Sequence, residues 1–220
     1  HRDLHSFPTR RSSDLVVVVT VGYLTNLRDL LDVAGEGGRP SGIDLVRRKV
    51  RAWVCMGGNF VGDPPRDDLR LGNVNFQRDA AAAVAAVQRW PTPVVFVGRE
   101  IGSVPGGLEA GSVLARTPEA SPVRRAYELY FGGAAKDRHI ADPATVLHAV
   151  RGTGTRWTVS APGRMDIRAD ASFVWVPAAE GAQSYLLRVP GGGEAIEREV
   201  EELLLRPPRR AVGIPGAPAS

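Results

Sequence analysis

Cysteine is almost absent from the sequence, because Cys55 is the single one in a chain of 220 residues. One cysteine cannot form a disulfide bond within the chain, and no C-x-x-C pair is present that could bind zinc. The sequence therefore excludes both an intramolecular disulfide and a cysteine-based zinc site.

Long apolar runs and blocks of like charge are also lacking. The longest apolar run near the start, 16–21, is far shorter than the ~20 residues of a membrane-spanning helix. The formal net charge is +4, from 28 Lys and Arg residues against 24 Asp and Glu residues, and the arginines are scattered along the chain. We therefore expect no membrane partner and no nucleic-acid partner, and we expect a small-molecule ligand instead.

The two ends of the chain differ from its middle. Residues 1–15, HRDLHSFPTRRSSDL, show no helical or strand period and no apolar signal-peptide core. They resemble one reading frame of a widely used sequencing-library adapter, so we expect an artefact there and a native sequence that resumes at Val16 after a lost segment. We predict one partial domain over 16–206 and a disordered Pro- and Gly-rich tail over 207–220. The compartment, cytoplasmic or secreted, stays open, as does homo-oligomerisation.

Apolar β-branched runs alternate with helical patterns through the first two thirds of the chain. Runs of this kind are typical of buried parallel strands, and here they are 16–21, 50–56 and 94–97. Helical spacing or capping patterns predict helices over 24–33, 42–48, 79–90, 106–116, 121–130, 142–150 and 193–205. Thr25 or Asn26, Asp79 and Asp142 are predicted as N-caps, the last with Pro143 at the first helical position.

The sequence pattern changes from residue 155 onward. Short alternating segments at 155–160, 172–177 and 184–189 are separated by Gly and Pro and predict antiparallel hairpins. We therefore predict an α/β fold: a mostly parallel sheet flanked by helices, with a small antiparallel region near the C-terminus. Ligands of such sheets bind at the carboxyl ends of strands, here at Gly22 and at 56–58.

Four segments near these strand ends carry a family resemblance. They read VVVVTVGYLTNLRDLL, KVRAWVCMGGNF, GNVNFQRDAAAAV and RHIADPATVLHAV, in this order between Val16 and Val150. They resemble four motifs of the nucleoside hydrolase family (inosine-uridine preferring and related enzymes), with Tyr23 in place of a proline. The resemblance implies that family's fold without its N-terminal strand and loop, in a divergent and truncated member.

The resemblance also implies an activity and a site. Nucleoside hydrolases cleave the N-glycosidic bond of ribonucleosides to ribose and free base, as in purine and pyrimidine salvage, with a water bound to Ca²⁺. By position, Asp142 would bind calcium through its carboxylate and Thr25 through its backbone carbonyl. Asn75, Asn73 and Met56 would contact the sugar. Each has a plainer interpretation: caps for Asp142 and Thr25, loop residues for the asparagines, and a core residue for Met56.

Three departures from the family pattern bear on activity. The family's D-x-D-x-x-x-D-D segment, which supplies the base and most calcium ligands, would precede Val16, so we name no catalytic residue and expect this chain to be inactive. Asn73 stands where the family has glutamate, and Ala141 stands where it often has a histidine, for which His139 could substitute. A degenerate nucleoside- or sugar-binding relative is therefore the alternative. A generic dinucleotide-binding domain is disfavoured because no G-x-G-x-x-G follows a strand.

Overall fold

The computed structural model describes residues 15–61, 73–102 and 107–207. The segment interpreted as an artefact, apart from Leu15, and the predicted tail after Pro207 lie outside the described residues. No described helix is long and apolar enough to cross a membrane.

Strands and helices alternate up to residue 97, and strands dominate between residues 157 and 188. The strands are β1 (Val16–Thr20), β2 (Val50–Met56), β3 (Val94–Val97), β4 (Glu109–Ala110), β5 (Arg138–His139), β6 (Trp157–Val159), β7 (Gly163–Ile167), β8 (Phe173–Pro177) and β9 (Gln183–Arg188). The helices are α1 (Thr25–Asp32), α2 (Gly42–Lys49), α3 (Val74–Gln77), α4 (Ala80–Arg89), α5 (Pro122–Phe131), α6 (Ala141–Arg151) and α7 (Gly193–Leu204), with 3-10 turns at Arg99–Ile101 and Ser112–Arg116.

One seven-stranded sheet organises the fold, in the order β1-β2-β3-β9-β7-β8 with β6 also paired to β9. The strands β1, β2, β3 and β9 are parallel, whereas β6 and β7 run antiparallel to β9, and β8 runs antiparallel to β7. The predicted mostly parallel α/β sheet is confirmed. The antiparallel strands β6, β7 and β8 belong to this sheet, because β9 joins them to the parallel strands, whereas β4 and β5 form a separate two-stranded antiparallel sheet.

Helices cover both faces of this sheet because successive side chains of a strand point to opposite faces. On β2, Trp53 and Cys55 pack in one core with α1 and α4, and Val54 packs in the other with α6 and α7. The alanine-rich helix α4 lies close to the sheet, since Ala82, Ala83 and Ala86 are all fully buried.

A tryptophan pair fixes the end of α4 to β2. The ring centroids of Trp53 and Trp90 lie 5.1 Å apart. Each indole N–H has a partner, because Trp53 donates to Thr20 Oγ1 and Trp90 to Thr92 Oγ1, both at 2.9 Å. The pair therefore buries a large apolar area without an unsatisfied indole donor.

The strand β1 is less buried than its valines predict. All five of its residues are half-buried. Within the described part of the chain it pairs with β2 alone, so its outer edge has no strand partner. The predicted strand is therefore confirmed, but the prediction that it is fully buried is wrong.

The predicted helix over 106–116 is wrong where it is described. The chain instead forms β4 and then a 3-10 turn, with Gly111 between them at a φ of 142°. This φ lies far from helical values, so a regular helix cannot pass through Gly111. A Cβ atom there would also lie 2.3 Å from Cε1 of Tyr127.

Two predicted helix caps are also wrong, and one is confirmed. Asp79 caps α4 by accepting from the backbone N–H of Ala82 at 3.1 Å. The cap of α1 is Leu24, with no side-chain bond, and the cap of α6 is Ile140, so Asp142 is the second helical residue. An aspartate in a first turn still interacts favourably with the positive end of the helix dipole.

Candidate functional site

A cavity of about 580 Å³ opens at the carboxyl ends of β1 and β2. Parallel strands end at one edge of the sheet, and the register pairs Thr20 with Cys55 and Met56 with Val97. The size is that of a small-molecule site. The cavity is lined by Val21, Met56, Asn73, Val74, Asn75, Gln77, Arg99, Arg138, His139 and Asp142.

The structure brings four of the five sequence-predicted site residues together in this cavity: Met56, Asn73, Asn75 and Asp142. Met56 is the last residue of β2, and the two asparagines flank the start of α3. Asp142 comes from the first turn of α6, far along the chain. These residues therefore reach one cavity from three separate elements.

Two amide groups converge on the side chain of Met56. Asn73 and Asn75 each donate from Nδ2 to the Met56 sulfur at 3.1 Å, and Asn75 also donates to the Met56 backbone carbonyl at 3.1 Å. A thioether is a weak acceptor, so these bonds mainly position the amides. Met56 therefore positions both asparagines, in addition to packing at the end of β2.

The amide oxygen of Asn73 is left without a partner. Asn73 is only 7% exposed, and its Oδ1 accepts no hydrogen bond from the residues that the structure describes. A buried acceptor without a donor costs free energy, of the order of 1–3 kcal/mol. A hydroxyl of a ligand or of a water is the kind of donor that satisfies such an acceptor.

Asp142 is the only carboxylate in the described lining of the cavity. Partial burial raises the pKa of Asp142 above its ordinary value, while the positive charges of His139 and Arg138 act in the opposite direction. Because the residue as a whole is exposed, solvent weakens each of these effects. Asp142 therefore faces the cavity as an acceptor next to cationic groups.

Thr25 does not line this cavity. It lies in an adjoining groove along β1 that shares Val21 with the cavity. Its hydroxyl donates to Asp79 Oδ2 at 2.5 Å, and this bond is the main reason why the pKa of Asp79 is lowered. The Thr25 side chain therefore ties α1 to the start of α4.

The sequence did not single out the arginines of the cavity, Arg99 and Arg138. Arg99 follows β3 and so obeys the same strand-end rule as Met56, a signal that was available. Arg138 belongs to β5, whose position depends on its pairing with β4, and short strands of this kind have no clear sequence pattern.

The described residues do not by themselves fit a calcium ion. Calcium takes six to eight oxygen ligands. Within 15–61, 73–102 and 107–207 there is no group of three or more His, Cys, Asp or Glu side chains that could hold a metal. Asp142 and Thr25, the residues predicted as calcium ligands, line different pockets. A calcium site would need ligands from outside these residues.

No protein-family model and no curated protein matches the sequence. The fold does match solved structures. A plant nucleoside hydrolase, the PpNRh1 enzyme, aligns over 87% of this chain and 62% of its own, with a TM-score of 0.55 and 16% identity. The chain has a nucleoside hydrolase-like fold.

Two further solved structures share this fold. The inosine-uridine preferring nucleoside hydrolase of Bacillus anthracis aligns over 87% of this chain with a TM-score of 0.50 and 13% identity. The type III effector protein XopQ, solved with adenosine diphosphate ribose, aligns over 89% with a TM-score of 0.50 and 19% identity. This chain spans 62% of the length of each. The family resemblance of the sequence is therefore confirmed at the level of the fold.

Proposed function

We propose that the protein is part of an N-ribohydrolase, which cleaves the N-glycosidic bond of a ribonucleoside to ribose and free base. One observation carries this proposal: Met56, Asn73, Asn75 and Asp142 line a single cavity, in which the buried Asn73 Oδ1 lacks a donor. A ribose ring offers several hydroxyl donors in a small volume. The nucleoside hydrolase-like fold supports the same assignment.

The chemistry of the reaction suits a wall of polar acceptors. Cleavage of a ribosidic bond passes through an oxocarbenium-like state, and hydrogen bonds to sugar hydroxyls that strengthen in that state lower the barrier. We expect Asn73 to accept from a ribose hydroxyl and Asn75 to contact the same ring. Asp142, the only carboxylate in the described lining, would accept from a further hydroxyl or from a water.

Calcium is part of this proposal only through the family resemblance. The described residues do not complete a calcium site, and we assign no step to the ion. If the gene encodes an upstream aspartate-rich segment, those carboxylates would supply the missing ligands and the base. Asp142 is the residue of this chain that would join them.

Ribose binding is the first test, because it needs no catalytic base. We expect the chain to bind ribose, measured by ligand-observed NMR, and Asn73→Ala to weaken that binding about 5- to 10-fold, since one hydrogen bond is lost. Gln88→Ala removes an exposed amide on α4 and is the matched control. Ribose binding that is absent, or equal in Asn73→Ala and parent, contradicts the proposal.

Hydrolysis is the second test. Release of ribose from inosine and uridine is measured with calcium and with a chelator, on this chain and on any longer gene product. Calcium-dependent release by the longer product supports the proposal. Ribose binding without hydrolysis by either protein favours the alternative, a degenerate nucleoside- or sugar-binding relative. Asn73 in the glutamate position and Ala141, which is 1% exposed and carries no proton donor, are the observations in favour of that alternative.

A further inference from the structure

The charge of the cavity wall does not match a neutral ligand. Within the described lining, Arg99 and Arg138 are cationic and Asp142 is the only anion. The formal charge is therefore positive, and His139 adds to it when protonated. A neutral ribonucleoside would bring no negative charge to this described part of the wall.

The two arginines have no carboxylate partner in the described part of the chain. Neither forms an ion pair within 4.0 Å there. The adjacent Glu100 does not line the cavity, and its carboxylate lies against Gly98 and accepts from the Phe60 backbone N–H at 3.2 Å. Among the described residues, therefore, no carboxylate occupies either guanidinium group.

Backbone hydrogen bonds connect the two elements that bring the arginines to the cavity. Arg99 opens the 3-10 turn Arg99–Ile101, the carbonyl of Ile101 accepts from Leu108 N at 2.9 Å, and the carbonyl of Leu108 accepts from Ile140 N at 2.9 Å. Arg138 lies two residues before Ile140, and Arg99 itself is fixed by a bond from its backbone N–H to Gly58 O at 3.0 Å. These hydrogen bonds form a continuous path between the elements that carry both arginines.

The guanidinium of Arg138 is also held in place. It lies over the ring of Tyr130, 4.0 Å from the ring centroid, a cation–π geometry that orients the planar group. Arg138 is half-buried. A positioned guanidinium binds phosphate oxygens in a bidentate manner, for which lysine is a poor substitute.

The start of α6 adds to the positive potential. This helix begins at Ala141, next to Arg138 and His139, and the free N–H groups of a helix start favour an anion. Asp142 in the first turn offsets part of this field. The arginines and the helix start together still favour a negatively charged group.

We infer that the cavity binds a phosphorylated riboside in preference to a neutral one, with the ribose against Asn73 and the phosphoryl group against Arg99 and Arg138. This inference rests on the proposed function, which places the sugar, and it adds that the substrate is phosphorylated. The group that the cavity would recognise is a phosphomonoester attached to a ribose ring.

Ribose and ribose 5-phosphate are suitable probes, because neither contains an N-glycosidic bond that could be cleaved. We expect this chain to bind ribose 5-phosphate at least about tenfold more tightly than ribose by isothermal titration calorimetry, since charge-assisted bonds to phosphate are stronger than neutral ones. The preference should fall as salt is raised from 0.05 to about 0.5 M, because salt screens charges.

Variants separate a phosphate site from general attraction to a basic protein. Arg138→Gln and Arg99→Gln should each reduce the ratio of the two affinities about tenfold. Arg198→Gln, on the exposed face of α7, is the matched control and should leave the ratio unchanged. An equal effect of all three variants would overturn the inference.

The remaining outcomes are each decisive. Equal affinity for the two sugars, or tighter binding of ribose, overturns the phosphate preference but leaves the proposed function standing. Inorganic phosphate that binds as tightly as ribose 5-phosphate without competing with ribose overturns it too. Binding of neither sugar removes both proposals. A preference for ribose 5-phosphate together with no hydrolysis of any riboside supports this inference while the proposed hydrolase activity fails.

Discussion

Phe76 is the residue whose removal best tests how the candidate site is supported. Its side chain is fully buried, it follows Asn75 on α3, and its ring lies against the backbone of Gly57. A Cβ on Gly57 would lie 2.3 Å from the Phe76 ring, so the ring touches the backbone immediately after Met56. Phe76 therefore holds α3 against the end of β2.

The expected cost of Phe76→Ala follows from this packing. Replacing a buried Phe by Ala costs about 3–5 kcal/mol. The ring also meets Phe96 edge-on at 6.4 Å between centroids, and rigid backbone at Gly57 limits collapse of the cavity left behind. We therefore expect about 4 kcal/mol, or a fall in Tm of roughly 8–16 °C for a domain of this size.

Urea unfolding followed by circular dichroism measures this loss. Val74→Ala on the same helix is the control, because Val74 is 56% exposed and its truncation should cost less than about 1 kcal/mol. Ribose affinity should also fall in Phe76→Ala, since α3 carries the two asparagines. A loss in Phe76→Ala no larger than in Val74→Ala would refute the proposed support.

Three further predictions concern single residues elsewhere in the fold. Full burial raises the pKa of the Cys55 thiol to about 12, so we expect no reaction with Ellman's reagent in the native protein and prompt reaction after unfolding in urea. The pKa of Asp79 is lowered first by its bond from Thr25, so its contribution to stability is present above its ordinary pKa and is lost as the pH falls through the lower, folded value. The difference in urea midpoint between parent and Asp79→Asn should accordingly shrink from pH 7 to pH 3, and a constant difference would contradict the assignment. Gly111→Ala should cost about 1–3 kcal/mol, because its φ is positive and the new Cβ would meet Tyr127; an unchanged melting temperature would show that the turn adapts.

The sequence predicts best where burial follows a simple period. The strand β2 begins and ends where its apolar run does, since Val50 and Met56 bound the predicted segment. The strand β7 was missed, although Gly163, Met165 and Ile167 are buried and the residues between them are exposed. That alternation was present in the sequence, but Gly and charged residues obscured it.

The candidate site was predictable only in part, for a topological reason. Met56 ends β2, so the rule for parallel sheets places it at the ligand-binding edge, whereas Asn75, within α3, was predicted only by the family resemblance. Arg138 reaches the same cavity through the pairing of β4 with β5, which depends on contacts between distant parts of the chain. Thr25 illustrates the opposite case, because Val21, four residues earlier, reaches the cavity and Thr25 does not.

The paired indoles of Trp53 and Trp90 give the protein an internal optical reporter. One ring belongs to the central sheet and the other to the residue that ends α4, so separation of this helix from the sheet would change their environment at once. In a variant in which the other two tryptophans, Trp157 and Trp175, are replaced by Phe, their emission should therefore follow the docking of one helix, whereas circular dichroism follows the whole chain. A difference between the two signals during unfolding would reveal that α4 detaches before the remaining core melts.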